Sequence, residues 1–455
     1  MTGPRNAQLV LAGWLLASTS AWAQEPPAVV MPCCEHEEAD ASPAVEPEAA
    51  EQSDSQGYTP PAGSAPSLAL HGYVDIGLAK ATGDGTSFRP GDTVIPADYE
   101  VDTFAPMVNS RGDVASTDSK GRFTNGFLPR SVGIGGNLSF LVNTVDLDVR
   151  YQPPGVPLLV FARAQFLPRF TTSGGDGTRV LLEQAFGRII PFDSQELALT
   201  VGKFDSVFGI EYLDNQANLR TGITPSLMAR YTTGTPLGAK LFYRYQFPSL
   251  WSAVSLNVSA TNSSPFVEAL QPPDLSFSGV PVGAARLGYE LDLPKVQLKI
   301  GLSGMLGPRN DQRDWQVQQR GWGADLRFLV AGLSLAGEWV YVTEDRGEEP
   351  EKLTGAGVAS FASGFAARGL WAQVAYGFEL PSTTFRKLSL YVGYSWRHAK
   401  FEGFDAITVD RFTGGVRLDV WDSLSLKLEA LFNRELEGAP NVDNDVYAAS
   451  LVYSY

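Results

Sequence analysis

The chain has 455 residues, 44% of them hydrophobic and 19% charged, with a formal net charge of −15. That balance excludes a basic nucleic-acid binder, and its two cysteines, adjacent at Cys33 and Cys34, exclude a disulfide-stapled scaffold. Beyond the first two dozen residues, no stretch is long and apolar enough for a transmembrane helix.

The first segment, "MTGPRNAQLVLAGWLLASTSAWAQ", joins Arg5, an apolar run from about Leu9, and Ala21-Trp22-Ala23. This order reads as a secretory signal peptide over 1–23, removed before Gln24. Residues 24–66 hold nine acidic residues and no Lys or Arg. Rich in Pro and Ala, they bury too little apolar surface to offset ordering entropy, so they read as a disordered acidic periplasmic leader. Cys33 and Cys34 fall there as exposed thiols. With His36 they match no standard zinc spacing, and neither metal nor cofactor is expected.

From residue 67 the period is two. In "VQLKIGLSGML" (296–306), Val296, Leu298, Ile300 and Leu302 share one face; Gln297, Lys299, Gly301 and Ser303 share the other. "LSLYVGYSWRH" (388–398) alternates in the same way. Such segments are half-apolar strands. Their length, about ten residues, suits a tilted strand crossing a bilayer, and the connections alternate short and long. Sixteen strands are read at 67–80, 131–151, 156–168, 180–190, 196–204, 237–246, 251–260, 282–291, 296–306, 321–330, 333–343, 365–380, 388–397, 409–420, 424–434 and 446–455. The fold class is therefore all-β: a transmembrane antiparallel up-and-down β-barrel over 67–455. It has short periplasmic turns, long extracellular loops and both termini in the periplasm. Three places leave fourteen or eighteen strands open. The apolar phase shifts between Val142 and Val145, pointing to a bulge at Asn143-Thr144 or an extra turn; 180–190 has no clean apolar face; and "SLMARYTTG" leaves room for more strand.

On this topology, Trp322, Trp339, Tyr341, Tyr394, Trp396, Phe412 and Phe432 fall at extracellular strand ends. Tyr243, Tyr245, Tyr289, Tyr376, Phe378, Tyr453 and Tyr455 fall at periplasmic ends. Two aromatic bands are the mark of two lipid–water interfaces. The polar faces then line a lumen too wide for side chains to fill. Its basic residues are Arg163, Lys240, Arg244, Arg286, Lys299, Arg327, Arg397, Arg417 and Lys427. Its acidic residues are Asp75, Glu290, Asp325, Glu338, Glu379, Asp419 and Glu429. The slight basic excess leads to an expectation of weak anion preference.

The long connection 205–236 carries Glu211, Asp214, Arg220 and Arg230 among apolar and aromatic anchors. A long loop with its own apolar residues packs onto something, so part of it is expected to fold inward and narrow the channel. The first long loop, 81–130, is a candidate mouth cap or adhesive surface and contains Arg111-Gly112-Asp113. No catalytic pattern emerges. "GIGGNL" (133–138) is no dinucleotide fingerprint, and neither P-loop nor H-E-x-x-H occurs. Apart from His36, the histidines are His71, inward on the first strand, and His398, near an extracellular end. No enzyme is expected.

Together, the signal peptide, the strand–loop rhythm over 67–455 and the aromatic last strand "VYAASLVYSY" resemble Gram-negative outer-membrane porins. "LTVGKFDSVFGIEYLDNQANLRTGITPSLMARYTTGTPLGAKLFYRY" (199–245) is similar to a region of the phosphate-selective and related sixteen-strand porins. There a "GKF…FG" strand end leads into a long loop and a further strand. The resemblance implies passive uptake, commonly by homotrimers, in an outer membrane of lipid and lipopolysaccharide. It also implies that Tyr447, Leu451, Tyr453 and Tyr455 form the signal read by the barrel assembly machinery. The loops lack an arginine ladder or lysine cluster for phosphate. The expected function is a porin passing small polar or charged solutes. The alternative is a non-conducting barrel with a structural or surface-adhesion role.

Overall fold

The computed structural model describes residues 67–82, 114–117, 123–128, 138–167, 179–191, 197–214, 216–247, 250–263, 280–308, 317–345, 364–401, 406–437 and 445–455. Backbone contacts divide the chain into units Met1–Pro47 and Glu48–Tyr455, and all described residues belong to the second. The signal peptide, the leader with its two cysteines, and Arg111-Gly112-Asp113 lie outside the described residues.

The strands are β1 (Ser67–Ala81), β2 (Val114–Thr117), β3 (Phe123–Leu128), β4 (Ser139–Gln152), β5 (Leu158–Leu167), β6 (Arg179–Ile189), β7 (Leu197–Lys203), β8 (Leu237–Phe247), β9 (Ser252–Thr261), β10 (Val282–Leu293), β11 (Val296–Pro308), β12 (Gln318–Val330), β13 (Leu333–Glu344), β14 (Phe365–Glu379), β15 (Lys387–Phe401), β16 (Ile407–Trp421), β17 (Leu424–Glu437) and β18 (Val446–Ser454). β2 and β3 pair as a separate hairpin inside the first long connection, which the sequence reading treats as loop throughout. The other sixteen form one closed antiparallel barrel in chain order. Sixteen is thus the strand number, and the fourteen- and eighteen-strand alternatives fall away.

Closure comes from β18 lying against β1, with Val74 opposite Tyr453, Ile76 opposite Leu451 and Leu78 opposite Ala449. Tyr455 and Gly72 exchange backbone hydrogen bonds, both at 3.1 Å. The Tyr455 hydroxyl then crosses β1 and donates to the Asp146 carbonyl of β4 at 3.2 Å. A Cβ on Gly72 would lie 2.6 Å from that hydroxyl oxygen and 2.2 Å from the carbonyl oxygen. Glycine is therefore required where the last ring passes over the first strand.

Two bulges account for the irregular stretches of the pattern. The β1–β4 register skips Asn143 between Asp75 and Ile76. The sequence expects a bulge or an extra turn at this place, and the chain forms a bulge. The β5–β6 register skips Glu183 between Arg163 and Ala164. An extra residue advances the alternation by one. For this reason Val180 and Leu182 point outward before the bulge and Ile189 after it, while Glu183, Gln184 and Arg188 are all buried. Neither parity of 180–190 is cleanly apolar because parity changes midway. "SLMARYTTG" holds no strand: it contains the short helix α1 (Ala229–Thr232). β4 begins at Ser139, later than the expected 131, and 131–137 lie outside the described residues.

The turn between β12 and β13 is minimal. Ala331 and Gly332 both take positive φ, 47° and 83°, the backbone form that matches the twist of a two-residue hairpin. Outward positions such as Leu256, Leu287, Ile300, Leu302, Val392 and Leu428 are exposed. Exposed aromatic residues band both ends of this outer face. Trp322, Trp339, Phe412 and Phe432 stand at the long-loop end; Tyr243, Tyr245, Tyr289, Tyr376, Phe378, Tyr453 and Tyr455 stand at the short-turn end. Ring pairs such as Tyr376–Phe378 (4.6 Å) and Tyr394–Phe412 (4.8 Å) pack within the bands.

Gly72→Val is expected to unseat Tyr455 and weaken closure. The temperature at which the folded band converts to the unfolded band in gel electrophoresis should fall. Gly414→Ala, whose added Cβ meets nothing within 4 Å, should leave that temperature unchanged.

Candidate functional site

The inner wall is built from the alternate residues of each strand. Pairing across neighbouring strands places side chains of one row on one face. The row Glu290–Lys299–Arg327 runs across β10, β11 and β12, and the row Lys387–Asp419–Ser425 across β15, β16 and β17. Glu379 lies opposite Lys387 at the short-turn end. Charges on this wall are matched over short distances. Arg163 grips Asp148 through two bonds of 2.6 and 2.7 Å. Arg286 holds Asp325 at 2.9 and 2.6 Å, Arg244 reaches Glu290 at 2.8 Å, and Arg417 reaches Asp419 at 2.8 Å. Asp75 accepts a 2.5 Å bond from Ser450 across the closure. Fork-to-carboxylate geometry offsets the cost of desolvating these ions in a crowded wall.

Segment 204–236 leaves the β7–β8 end and turns into the barrel. Its two limbs are joined at the neck by Ser206 N–H donating to the Gly234 carbonyl at 2.9 Å, and Lys240 Nζ stands 5.2 Å from the Phe204 ring centroid. Beyond the neck, Val207, Phe208, Ile210, Leu227, Met228 and Tyr231 pack against inward apolar residues of the wall, among them Val282, Met305, Val340, Val342, Ala367 and Val409. Fully burying side chains of this size contributes about 1.5–3 kcal/mol each. Gly209 sits at φ 82°, and a Cβ there would fall 2.0 Å from Glu338 Oε1. The glycine lets the chain bend against that carboxylate.

Polar anchors complete the attachment. Gly209 N–H donates to Ser303 Oγ (3.1 Å) and Ile210 N–H to Glu338 Oε1 (3.1 Å); Trp371 Nε1 donates to the other oxygen of Glu338 (3.2 Å). Ile223 and Thr224 N–H both donate to Glu429 at 2.8 Å, and Tyr391 OH adds a third bond of 2.8 Å. Lys427 Nζ donates to the carbonyls of Ala217 (2.5 Å), Arg220 and Gly222 (3.0 Å). Arg397 Nε donates to Tyr231 OH at 3.0 Å, and Arg417 Nη1 to the Arg220 carbonyl at 3.2 Å. Within the segment, Glu211 accepts from Ser226 N–H (2.7 Å) and Ser226 Oγ (2.6 Å). Asp214 pairs with Arg327 at 2.6 Å. Two residues later, the Gln216 carboxamide oxygen, turned towards Arg163, accepts from both its terminal nitrogens. β12 and β5, which carry these two arginines, are seven steps apart around the sixteen-strand ring. The segment therefore bridges nearly opposite walls.

Of the four segment residues singled out from sequence, Glu211, Asp214 and Arg220 contribute these contacts. Arg230 lies on α1, and its side chain is outside the described residues. The wall residues named from sequence face the interior, with Asp75, Arg163, Lys240, Asp325, Glu338, Arg397, Lys427 and Glu429 buried. His71 shares the inward face of β1. His398 points outward at the other end and stacks on Trp396.

Sequence reasoning missed Asp146, Asp148, Arg150, Glu183, Arg188 and Arg411. Most lie on the two bulged strands, where parity fails if counted from the wrong end. Counting back from outward Tyr151 places Arg150, Asp148 and Asp146 inside. The inward apolar run Val340 and Val342 was also a signal: apolar residues on a lumen face need a cover.

No protein-family model matches this chain, and no curated protein matches it. Solved structures do. The outer membrane channel DcaP of Acinetobacter baumannii is 12% identical, with 87% of this chain and 99% of that chain covered and a TM-score of 0.49. OmpTdeltaL8, an outer membrane protein of Vibrio cholerae, is 10% identical over 86% of this chain and 100% of that chain, TM-score 0.45. An anion-selective porin from Comamonas acidovorans is 9% identical over 86% and 100%, TM-score 0.43. At these identities and TM-scores, any functional reading rests on the residues of this chain itself.

Glu429→Ala removes the acceptor for two adjacent amides. Bonds to a charged partner are worth about 1.5–3 kcal/mol, so hydrogen exchange at Ile223 and Thr224 should accelerate about tenfold or more. Exchange at Ile210, held by Glu338, should not change.

Proposed function

We propose that this protein is a diffusion channel of a Gram-negative outer membrane, passing small polar or charged solutes through an aqueous lumen narrowed by segment 204–236. One observation carries the reading: a closed barrel combines an exposed apolar exterior banded by aromatics with a charged interior. An apolar exterior suits lipid, and closure leaves no unpaired sheet edge in it. A charged, hydrated interior suits solutes rather than a ligand core. Passage needs no energy source, and sorting follows from width and from wall charge. Segment 204–236 sets the width in this reading, with Glu211, Asp214 and Arg220 on the narrowed part. Wall cations and carboxylates stay close to balance, so anion preference is weak.

The rest of the proposal follows from that placement. Short turns and both chain termini face the periplasm, and long loops face outward. Tyr447, Leu451, Tyr453 and Tyr455 present the closing strand to the assembly machinery, and the barrels associate as homotrimers. Resemblance to phosphate-selective porins supplies no solute, since the loops lack the basic cluster that phosphate would need. A second reading, a barrel closed to solutes, is favoured by the contact of the segment with opposite walls through Arg327–Asp214 and Arg163–Gln216.

Planar-bilayer recordings separate the two. Under the channel reading the native protein gives steady conductance steps, and deletion of 212–222 raises them; conductance unchanged by that deletion would refute the narrowing role. Under the closed reading the native protein is silent and the deletion alone conducts. In a salt gradient, the reversal potential should show slight anion preference, and cation preference would sink that part of the proposal.

A further inference from the structure

One part of the inner wall, on β1, β4, β5 and β6, departs from the pairwise matching of charge seen elsewhere. Tyr73, Asp146 and Gln165 stand opposite one another across β1, β4 and β5. Asp148 lies two residues along the inward face of β4, and the bulge residue Glu183 enters from β6. All five are buried, Asp146 to 1% exposure. Arg163 is the cation among them. It holds Asp148 through two bonds of 2.6 and 2.7 Å and turns its terminal nitrogens to Gln216. Glu183 stands 4.0 Å from it. Arg150, beyond Asp148, lies over the Phe161 ring at 5.6 Å.

With Asp148 matched to Arg163, Asp146 and Glu183 add two negative charges. Neither oxygen of Asp146 accepts a hydrogen bond from the described residues; the Tyr73 hydroxyl approaches without closing one. The charge that bears on Asp146 most strongly is Glu183, of its own sign. Gln165 Oε1 is also buried without a donor. Side chains directly opposite on paired strands have Cβ atoms about 5 Å apart, so this amide oxygen and the Asp146 carboxylate serve one spot. A buried carboxylate that lacks both donors and a counter-charge is costly. Segment 204–236 roofs the spot: Ala217 packs with Tyr73 and Val452, and Gln216 reaches Arg163.

We infer that Asp146, Glu183 and Gln165 form a binding site for one hard divalent cation of the calcium class, with the Tyr73 hydroxyl and water completing its shell. Every donor is oxygen, which suits calcium and disfavours metals that take thiolate or imidazole. Two carboxylates balance a double charge, whereas a monovalent ion would leave one unmatched. Calcium tolerates an irregular shell assembled from three strands; magnesium demands a near-ideal octahedron. Among the described residues no three acidic side chains converge on one point, because Arg163 draws Asp148 away. The site is therefore a weak one, with a dissociation constant on the order of 10⁻⁴–10⁻³ M. The cation ties β4, β5 and the bulge of β6 together beneath the tip of the segment, and so fixes the floor on which Gln216 and Ala217 rest. This role is independent of whether the barrel conducts.

The test uses the full-length mature protein, refolded in an uncharged detergent free of lipopolysaccharide, with calcium chloride as the probe. Calorimetric titration at neutral pH should show one site. The temperature at which the folded band converts to the unfolded band should rise with calcium and fall with a chelator. Asp146→Asn and Glu183→Gln should each weaken calcium binding about tenfold or more, and the double variant should lose both the binding and the calcium-dependent rise. Gln165→Leu removes an oxygen without changing charge and should weaken binding less. Asp345→Asn, on the outer rim, should bind as the native protein does. Native protein that migrates as a folded barrel yet binds no calcium would overturn the inference, and would show that protons alone neutralise the two carboxylates. So would a double variant that still gains stability from calcium, or a folded Gln165→Leu variant that binds it as tightly as the native protein.

Discussion

The pairing of the first and last barrel strands is the constraint on which the other features depend. A sheet edge left open exposes a row of unpaired backbone N–H and C=O groups. Register between β1 and β18 removes that edge, and Gly72 gives up its side chain so that Tyr455 can cross to β4. Once the ring is closed, each barrel residue has one of two environments, and the period-two pattern becomes a division between an apolar exterior and a polar interior. The two bulges, at Asn143 and Glu183, shift which residues belong to which side without opening the ring.

Closure also creates the interior that segment 204–236 occupies. A wall of this circumference has more surface than its own side chains can cover. The segment covers part of it in two ways. Phe208, Met228 and Tyr231 sit on an apolar patch of the wall, while Lys427 and Glu429, neighbours on the inward face of β17, take its carbonyls and its amides respectively. One strand thus satisfies both kinds of backbone group in a stretch that lacks regular secondary structure. The opposite contacts, through Arg163 and Arg327, hold the segment as a span rather than a lining.

The outer face shows the complementary logic. Among the described residues charge is absent from its middle and returns beyond one aromatic band, where Arg320 pairs with Asp345 and Arg434 with Asp410. Asp410 is placed where a lone carboxylate would be costly, and the bonds from Arg434 and Tyr394 make it an orienting support.

By itself the sequence determined the strand class, the regular strands, which connections are long, the two aromatic bands and the inward residues of the regular strands, while the strand number stayed open between fourteen and eighteen until the closed ring decided it. It could do so because side-chain alternation is a local property, legible wherever the strand is unbroken, as in 296–306. Within 180–190 one extra residue reversed the parity, and nothing local marks Glu183 as extra; only its pairing with β5 does. Segment 204–236 showed its apolar residues but not their partners. Which wall receives Phe208, which lysine caps Arg220 and Gly222, and where Asp214 finds Arg327 depend on strands brought together by closure. Those contacts join residues more than a hundred positions apart, and the tertiary structure alone decided them.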